Sequence, residues 1–331
     1  GSYSCGFILM KGSSDIPRDI EKGLSMFRLA VEQNYKAATR DLARYYYSLE
    51  TEEDNRKALD YYLQYIEYNP KDTDTLLHIG LIYESGLGVP LNIDLARRYY
   101  ERAAEQDETG MAYNFLGGTY MNDEETESNE RKAVHYFQKA IELGNTNAMF
   151  RISYYLHNGK GGLQVDIPRE IELLTEASKR GNHQATYRLG LLFEDNESGM
   201  AQNLELSVKY FQLAADNGIL AAINKMGELY LFGEVIPANL TKAISCFTAA
   251  SEQGYGKASY WLGRLHTDGI GQLEKDTQKA MNYYRKAIEQ GYEEAREWME
   301  QLQKNLVDET ITDIEIPQDK SDEELYKDCL L

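Results

Sequence analysis

Cysteine is scarce in this chain, and the three cysteines are too few and too far apart to form a disulfide framework. Cys5, Cys246 and Cys329 are an odd set without any C-x-x-C spacing, so they identify neither a redox motif nor a redox compartment. Long apolar runs are also missing, and the chain does not open on the apolar segment of a signal peptide. The sequence therefore predicts no membrane insertion.

Basic residues are in deficit, with 35 Lys and Arg against 54 Asp and Glu and a formal net charge of −19. A phosphate backbone or an anionic membrane surface would be repelled by this excess of acidic groups. The charge balance argues against nucleic acid as a ligand. It favours a protein or peptide partner.

Motifs that would support catalysis are missing as well. The sequence contains no H-E-x-x-H, S-x-x-K or G-x-S-x-G arrangement. Glycine pairs such as Gly86 and Gly88, or Gly269 and Gly271, lack the preceding strand and the Gly-Lys-Ser/Thr of a phosphate loop. The five histidines are spread over different segments, and His266 is expected to pack in the core. We therefore predict no catalytic residue, no cofactor and no metal site, and a protein that is not an enzyme.

What the chain does have is an internal repeat of 36 or 37 residues. The repeat is best defined by a small residue that usually follows an apolar one, as in Leu262-Gly263. Small residues five positions earlier and large apolar residues three positions later fall on the same helical face. This pattern predicts the first helix, A, of each repeat. The reference positions are Gly6, Ala43, Gly80, Gly117, Ser153, Gly190, Gly227 and Gly263.

A second helix, B, follows in each repeat, with Phe, Tyr or Leu four residues after its own small residue and, in most repeats, Ala three residues later. Asp or Asn stands four residues before that small residue in all eight repeats, which predicts N-caps. Asn, Asp or Gly at the far end predicts the left-handed conformation that ends a helix. The predicted N-caps are Asp19, Asp54, Asn92, Asn129, Asp166, Asn203, Asn239 and Asp276.

The combination A-x-x-x-L-G-x-x-Y, a G-x-G loop, D-x-x-K-A, Y-Y-x-x-A and Q-G resembles the Sel1-like repeat of the tetratricopeptide-like superfamily. The last three repeats match this pattern best. Repeats two and four lack the loop glycines, repeat five has Ser153 and Glu170 at small positions, and no repeat carries the paired cysteines of the disulfide-stapled members. The resemblance implies an all-α, right-handed α/α solenoid of about eight helix pairs.

The predicted solenoid covers residues 1–304 and ends in a capping helix at 293–304, because Glu300 occupies the position where a further repeat would need a small residue. The repeats lie near 1–36, 37–72, 73–109, 110–146, 147–183, 184–220, 221–256 and 257–292. Residues 305–331 hold nine acidic and two basic residues. We interpret them as an acidic, flexible tail.

The remaining question is which surface binds a partner. Residues three before and one after the helix A reference lie off the buried stripe, and we call the surface they form the inner face. By resemblance to such solenoids it is the concave, ligand-binding surface, although these side chains could equally serve to pack one helix A against the next. The candidate partner-binding residues are Leu77, Leu81, Phe150, Tyr154, Tyr187, Leu191, Tyr260 and Arg264.

These observations predict a non-enzymatic scaffold or adaptor, monomeric, that binds a protein or peptide on its inner face. The acidic end and the resemblance favour a secreted or periplasmic bacterial protein, with a role in virulence or host interaction, over a cytoplasmic or ER-luminal one. One alternative is a regulatory or luminal fragment of a larger membrane-associated adaptor, as in protein-degradation complexes. A hydrolase is a further alternative, against which the missing cysteines and S-x-x-K argue.

Overall fold

The computed structural model describes residues 1–12, 17–124, 126–195, 202–270 and 273–312, and in the last helix it describes side chains as far as residue 306. Within these ranges all regular secondary structure is α-helical, which confirms the predicted all-α solenoid class. Two compact units are present, Gly1–Ala185 and Thr186–Leu331, and their boundary falls within helix α11. The helices are α1 (Ser2–Lys11), α2 (Ile20–Glu32), α3 (Lys36–Tyr47), α4 (Glu52–Tyr68), α5 (Thr73–Ser85), α6 (Ile93–Ala104), α7 (Met111–Met121), α8 (Glu127–Glu142), α9 (Thr146–Asn158), α10 (Ile167–Lys179), α11 (His183–Glu194), α12 (Leu204–Asp216), α13 (Leu220–Phe232), α14 (Leu240–Glu252), α15 (Gly256–Asp268), α16 (Thr277–Glu289) and α17 (Ala295–Thr312).

Odd-numbered helices up to α15 are the predicted A helices, and even-numbered ones are the B helices. In the first unit each A helix packs against the B helix that follows it, and each B helix packs against the next A helix. The second unit has the same order from α12 to α16, after which α17 packs on α16. Each unit is thus a stack of helix pairs whose neighbours along the chain are also neighbours in space.

Glycine inside the A helices is explained by an aromatic ring on the partner B helix. An ideal Cβ placed on Gly117 would lie 2.5 Å from Cε1 of Phe137, which is fully buried. The same relation recurs in both units, so the helix-propensity cost of glycine is offset by the close approach of a large ring. The pairs are Gly80 with Tyr100, Gly117 with Phe137, Gly190 with Phe211, Gly227 with Phe247, and Gly263 with Tyr284.

Repeat five departs from this rule in a compensated way. Ser153 takes the glycine position, and Leu174 stands where other repeats place a ring; both side chains are buried. Glu170, which replaces the small residue of helix B, is fully buried, and its Oε2 lies 3.0 Å from Nδ1 of His157. A smaller partner side chain therefore accompanies the larger A-helix residue at this level.

Two of the eight predicted N-caps are wrong. Helix α4 begins after Thr51, whose hydroxyl accepts a hydrogen bond from the Asp54 amide at 3.1 Å, and α8 begins after Thr126, which accepts from the Asn129 amide at 3.2 Å. Asp54 and Asn129 thus lie inside the first turn. Both helices belong to repeats without loop glycines, so the helix continues one turn further toward its N-terminus. The other six predicted caps are confirmed.

The ends of the B helices follow the prediction less uniformly. Glycine adopts a positive φ in repeats four to eight, as at Gly144 (φ 81°) and Gly291 (φ 85°), and Asn34 does the same in repeat one. Asn69 does not, because its φ is −130° in the turn before Pro70. The capping helix α17 runs past residue 304 to Thr312. Residues 313–331 of the predicted tail lie outside the described residues.

Candidate functional site: the inner face of the A helices

The inner-face positions of the first unit differ in how far they are open to solvent. Leu77 is only 6% exposed and belongs to the hydrophobic core, so it offers no surface to a ligand. Leu81 and Phe150 are half-buried, and Tyr154 is 40% exposed. Of the four predicted residues in this unit, Leu81, Phe150 and Tyr154 therefore remain available for contact.

A concavity of about 460 Å³ opens where three successive A helices meet. Helix α5 contributes Leu81 and Glu84 to its wall, and α7 contributes Phe115 and Gly118. Helix α9 closes the concavity with Arg151. The structure thus brings one predicted residue, Leu81, together with an aromatic ring and a cation that the inner-face pattern did not include.

Both acidic groups of this concavity already have partners. Tyr100 donates its hydroxyl hydrogen to Glu84 Oε2 at 2.6 Å, and Arg97 donates from Nη2 to Asp123 Oδ2 at 2.7 Å. Desolvation of the buried Tyr100 hydroxyl, together with this bond to Glu84, raises the tyrosine pKa well above its usual range. The guanidinium beside Asp123 lowers the pKa of that carboxyl. Both carboxylates are therefore held in place by their hydrogen-bond partners.

In the second unit, Tyr187 and Leu191 lie on α11 and are half-buried. The Tyr187 ring packs on Phe211, with 5.6 Å between ring centroids, and burial raises the pKa of its hydroxyl to about 12. Tyr187 therefore also stabilises the pair formed by α11 and α12. At this residue the inner-face side chain does serve packing within the repeat, as the alternative interpretation of the sequence predicts.

The inner-face residues of the last repeat are covered by the capping helix. The guanidinium of Arg264 lies 3.8 Å from the centroid of the Trp298 ring on α17 and donates to the Tyr260 hydroxyl at 3.0 Å. The Tyr260 ring in turn packs against Tyr292 and Trp298, with centroid distances of 5.3 and 6.2 Å. The main role of Tyr260 and Arg264 is therefore to pack against α17.

Repeat seven carries a charged network that the sequence pattern did not single out. Glu228 Oε1 accepts hydrogen bonds from Trp261 Nε1 at 2.9 Å and from Lys257 Nζ at 2.7 Å. On the same side, Lys225 Nζ pairs with Glu194 Oε1 at 2.8 Å. These contacts link α11, α13 and α15. The polar groups of this network therefore already have hydrogen-bond or ion-pair partners within the protein.

A signal for the missed cations was present in the sequence two residues before the helix A reference. That offset holds Arg151, Arg188 and Lys225 in repeats five, six and seven. Each of these side chains lies beside the inner face rather than on the buried stripe, as the lining of the concavity by Arg151 illustrates. The inner-face pattern is defined by offsets that hold mostly apolar residues, so it does not include these three basic residues of successive repeats.

A larger hollow of about 610 Å³ lies elsewhere, between α12, α13 and the start of α14, with Leu213, Tyr230 and Lys242 in its wall. The first unit has a hollow of about 400 Å³ at the equivalent repeat positions, where Leu156 and Arg169 correspond to Tyr230 and Lys242. Because it recurs where one B helix meets the next helix pair, we attribute it to repeat geometry. It does not distinguish a functional site.

Neither a metal cluster nor a membrane span emerges from the described ranges. No group of three or more His, Cys, Asp or Glu side chains there is arranged to hold a metal ion. Among the helices of the same ranges, none combines the length and apolar character needed to span a bilayer.

Comparison with known proteins places this repeat architecture in a family. The Sel1 repeat model matches the chain eight times, over most of its length. The chain belongs to the Sel1 repeat family. Sel1 repeat proteins generally mediate protein–protein interactions. The matched segments are residues 2–35, 36–64, 75–108, 110–145, 146–182, 183–219, 220–255 and 256–292.

Individual relatives share shorter segments. A Sel1-repeat-containing protein of Escherichia coli K12, YjcO, is 33% identical over 78 residues, which cover 23% of this chain and 34% of that protein. Protein sel-1 homolog 2 of Rattus norvegicus is 40% identical over 70 residues, covering 21% of this chain and 10% of the relative. The chain thus aligns with about a third of the bacterial relative and a tenth of the mammalian one.

Solved structures agree with the fold over nearly the whole chain. A Sel1 repeat protein from Oxalobacter formigenes superposes with a TM-score of 0.68 at 24% identity, covering 91% of this chain and 86% of that one. Protein c5321, a protective antigen of uropathogenic Escherichia coli with the Sel1-like repeat fold, gives a TM-score of 0.60 at 20% identity, covering 90% and 63%. At these identities the likeness establishes the fold alone.

Proposed function

We propose that this protein is a non-enzymatic binding scaffold that holds a peptide segment of a protein partner on the inner face of its first unit. The observation that carries the proposal is the concavity formed by α5, α7 and α9, which is lined by Leu81 and Phe115. Half-buried Phe150 and exposed Tyr154 lie on the inner face of the same α9. A wall that combines the apolar side chains of Leu81, Ile93 and Phe115 with polar side chains suits recognition of a peptide, which offers both kinds of group.

The contrast with the last repeats supports this choice of surface. There, the inner-face residues Tyr260 and Arg264 carry α17, and Glu228 is engaged by Trp261 and Lys257. A ligand at those positions would have to displace existing contacts. Tyr187 and Leu191, the remaining candidates in the second unit, are proposed as secondary contacts that also pack the repeat.

The test uses peptides selected from a random displayed library against the full chain. Tyr154→Ala is compared with Tyr68→Ala, a matched control because Tyr68 is 39% exposed against 40% for Tyr154 but lies at the end of helix B α4. We expect Tyr154→Ala to weaken the selected peptides about tenfold or more, as an aromatic anchor does, and Tyr68→Ala to have little effect. Equal losses in both variants, or no selectable peptide at all, would contradict the proposal.

Phe150→Ala and Tyr187→Ala test the two further residues singled out by the sequence. Both side chains are half-buried, so helicity and the denaturation midpoint must be recorded beside affinity. We expect Phe150→Ala to reduce the affinity for the peptide although the variant stays folded at the temperature of the binding assay. We expect Tyr187→Ala to lower the denaturation midpoint more than Phe150→Ala does, because the Tyr187 ring packs on Phe211.

We also propose that the scaffold is monomeric and acts outside the bacterial cytoplasm, in contact with a host. The acidic residues 305–331 support the location outside the cytoplasm, and residues 313–331 lie outside the described ranges. Deletion of residues 305–331 followed by a translocation assay tests it. Unchanged export of the shortened chain would remove the acidic end as a secretion signal.

A further inference from the structure

Gly118 has no explanation in the repeat pattern, although it lies next to the well-explained Gly117. At the same offset the other repeats carry large or charged side chains, such as Leu81, Tyr154 and Glu228. Glycine within a helix costs about 1 kcal/mol relative to alanine. A specific contact at this position must therefore compensate for its presence in α7.

The contact is made by Arg151. An ideal Cβ on Gly118 would overlap Nη1 of Arg151, and no other residue crowds that position closely. The glycine leaves a shallow space on α7 in which the guanidinium of a residue on α9 lies. Gly118 and Arg151 also both line the concavity of about 460 Å³.

Arg151 forms no hydrogen bond or ion pair with any side chain that the structure describes. Arg97, by contrast, is bound by Asp123 and Thr119, and Lys225 is bound by Glu194. A guanidinium has five N–H donors in a fixed planar fork. Arg151 therefore presents a positioned, half-buried cation with unused donors to the concavity, in a protein whose net charge is −19.

We propose that Arg151 binds the carboxyl-terminal carboxylate of the partner peptide, with the apolar side chain of the last peptide residue on Leu81 and Phe115. This inference rests on the proposed function and specifies which peptides the inner face accepts. A chain terminus supplies the carboxylate and an apolar side chain on one residue, as the adjacent cation and apolar wall require. A guanidinium and a carboxylate also match in bidentate geometry.

The acidic groups of the concavity fit this arrangement rather than oppose it. Asp123 is neutralised by Arg97, and Glu84 accepts from Tyr100 with one oxygen. The remaining acceptor capacity of Glu84 is available to an amide N–H of the peptide backbone. A peptide with several acidic side chains would be repelled by the net charge of −19, so the ligand is one terminal carboxylate on an otherwise non-acidic segment.

The experiment uses an array of randomised hexapeptides, each synthesised with a free terminal carboxylate and as the terminal amide, probed with the full chain. We expect bound peptides to end in an apolar residue and to bind at least about tenfold more tightly as the carboxylate, the range of a charge-assisted hydrogen bond. Arg151→Gln should remove this preference, and Arg151→Lys should keep part of it. Peptides with an internal Asp and an amidated end should gain nothing from Arg151.

Gly118→Ala provides a variant that keeps the fold. Its methyl group would displace the end of a flexible side chain rather than backbone, and alanine raises helix propensity. We expect an unchanged or higher denaturation midpoint together with a reduced preference for the carboxylate. If peptides bind without any preference for the carboxylate, or if Arg151→Gln preserves it, the carboxylate site is refuted while the peptide scaffold stands. If no peptide binds in either form, both proposals fail.

Discussion

The ring of Phe137 fills the space into which a Cβ on Gly117 would project. An ideal Cβ at Gly117 would lie only 2.5 Å from Cε1 of that ring. The neighbouring Gly118 faces only the guanidinium of Arg151. The two glycines sit side by side in α7 and have different causes. One makes room for the core of the repeat, and the other makes room for a side chain of the inner face.

This difference predicts opposite behaviour of two alanine variants. Both Gly117→Ala and Gly118→Ala gain the same helix propensity, so comparing them isolates the steric overlap. We expect Gly117→Ala to be less stable than Gly118→Ala by about 1–3 kcal/mol, the usual cost of overpacking a core. Urea denaturation followed by far-UV circular dichroism measures the difference. Equal midpoints for the two variants would show that Phe137 can move aside.

The shifted helix starts give a second prediction. Asn92 caps α6 through its Oδ1, which accepts from the Leu95 amide at 2.9 Å, whereas Asn129 stands at the same repeat position but inside α8. Asn92→Ala should therefore cost about 1 kcal/mol and Asn129→Ala clearly less. Thr126→Ala, which removes the N-cap of α8, should cost about 1 kcal/mol of stability, as Asn92→Ala does in α6. An Asn129→Ala variant as unstable as Asn92→Ala would contradict the assignment of Thr126 as the cap.

Acid conditions should weaken the repeat that contains His266. The ring stacks on Tyr283 at 5.6 Å, and Nδ1 is buried without a hydrogen-bond partner. Burial, assisted by Lys279 and opposed by Asp276, lowers the pKa of His266 in the folded state below its ordinary value of 6.5. The unfolded chain then binds the proton more tightly, so this contribution to stability is complete above about pH 6.5 and declines as the pH falls below it.

A replacement that keeps the ring tests this linkage. Since five of the seven other repeats carry Tyr or Phe at the position of His266, His266→Phe should fold and should lose less stability between pH 7 and pH 5 than the parent chain. His135→Gln, which removes an exposed imidazole on α8, serves as the control. Parallel stability profiles for the parent and His266→Phe would exclude His266 as a source of acid sensitivity.

Much of the architecture follows from the sequence because each repeat must start, stop and pack by the same local rules. Gly263 and Ala280 mark positions where a side chain would meet a neighbouring helix, and Asp276 marks a helix start; all three have the predicted roles. The pattern failed where a local alternative was stronger. Helix α4 begins after Thr51 because the Thr51 hydroxyl caps the helix one turn before the predicted cap, Asp54.

The candidate site was harder to predict, since periodicity identifies a helix face but not what covers it. Leu77 and Tyr260 fall on the inner face by offset, yet the first is buried in the core and the second is seated against Trp298. Arg151 is not predicted by the inner-face pattern, because its offset lies between the buried stripe and the inner face. Its significance depends on Gly118, which lies on a different helix and 33 residues away in the sequence.

A peptide bound in the concavity of the first unit would change the surroundings of the wall residues, and methyl NMR on the leucine-labelled full chain detects that change. A peptide selected from the displayed library is titrated into the protein, with assignments fixed by single substitutions. We predict the largest shift changes at Leu81, in the wall of the concavity, and little change at Leu143, which is 40% exposed at the end of α8, or at Leu213 in the hollow of the second unit. Dominant changes at Leu143 or Leu213, with Leu81 unaffected, would contradict peptide binding in the concavity of the first unit.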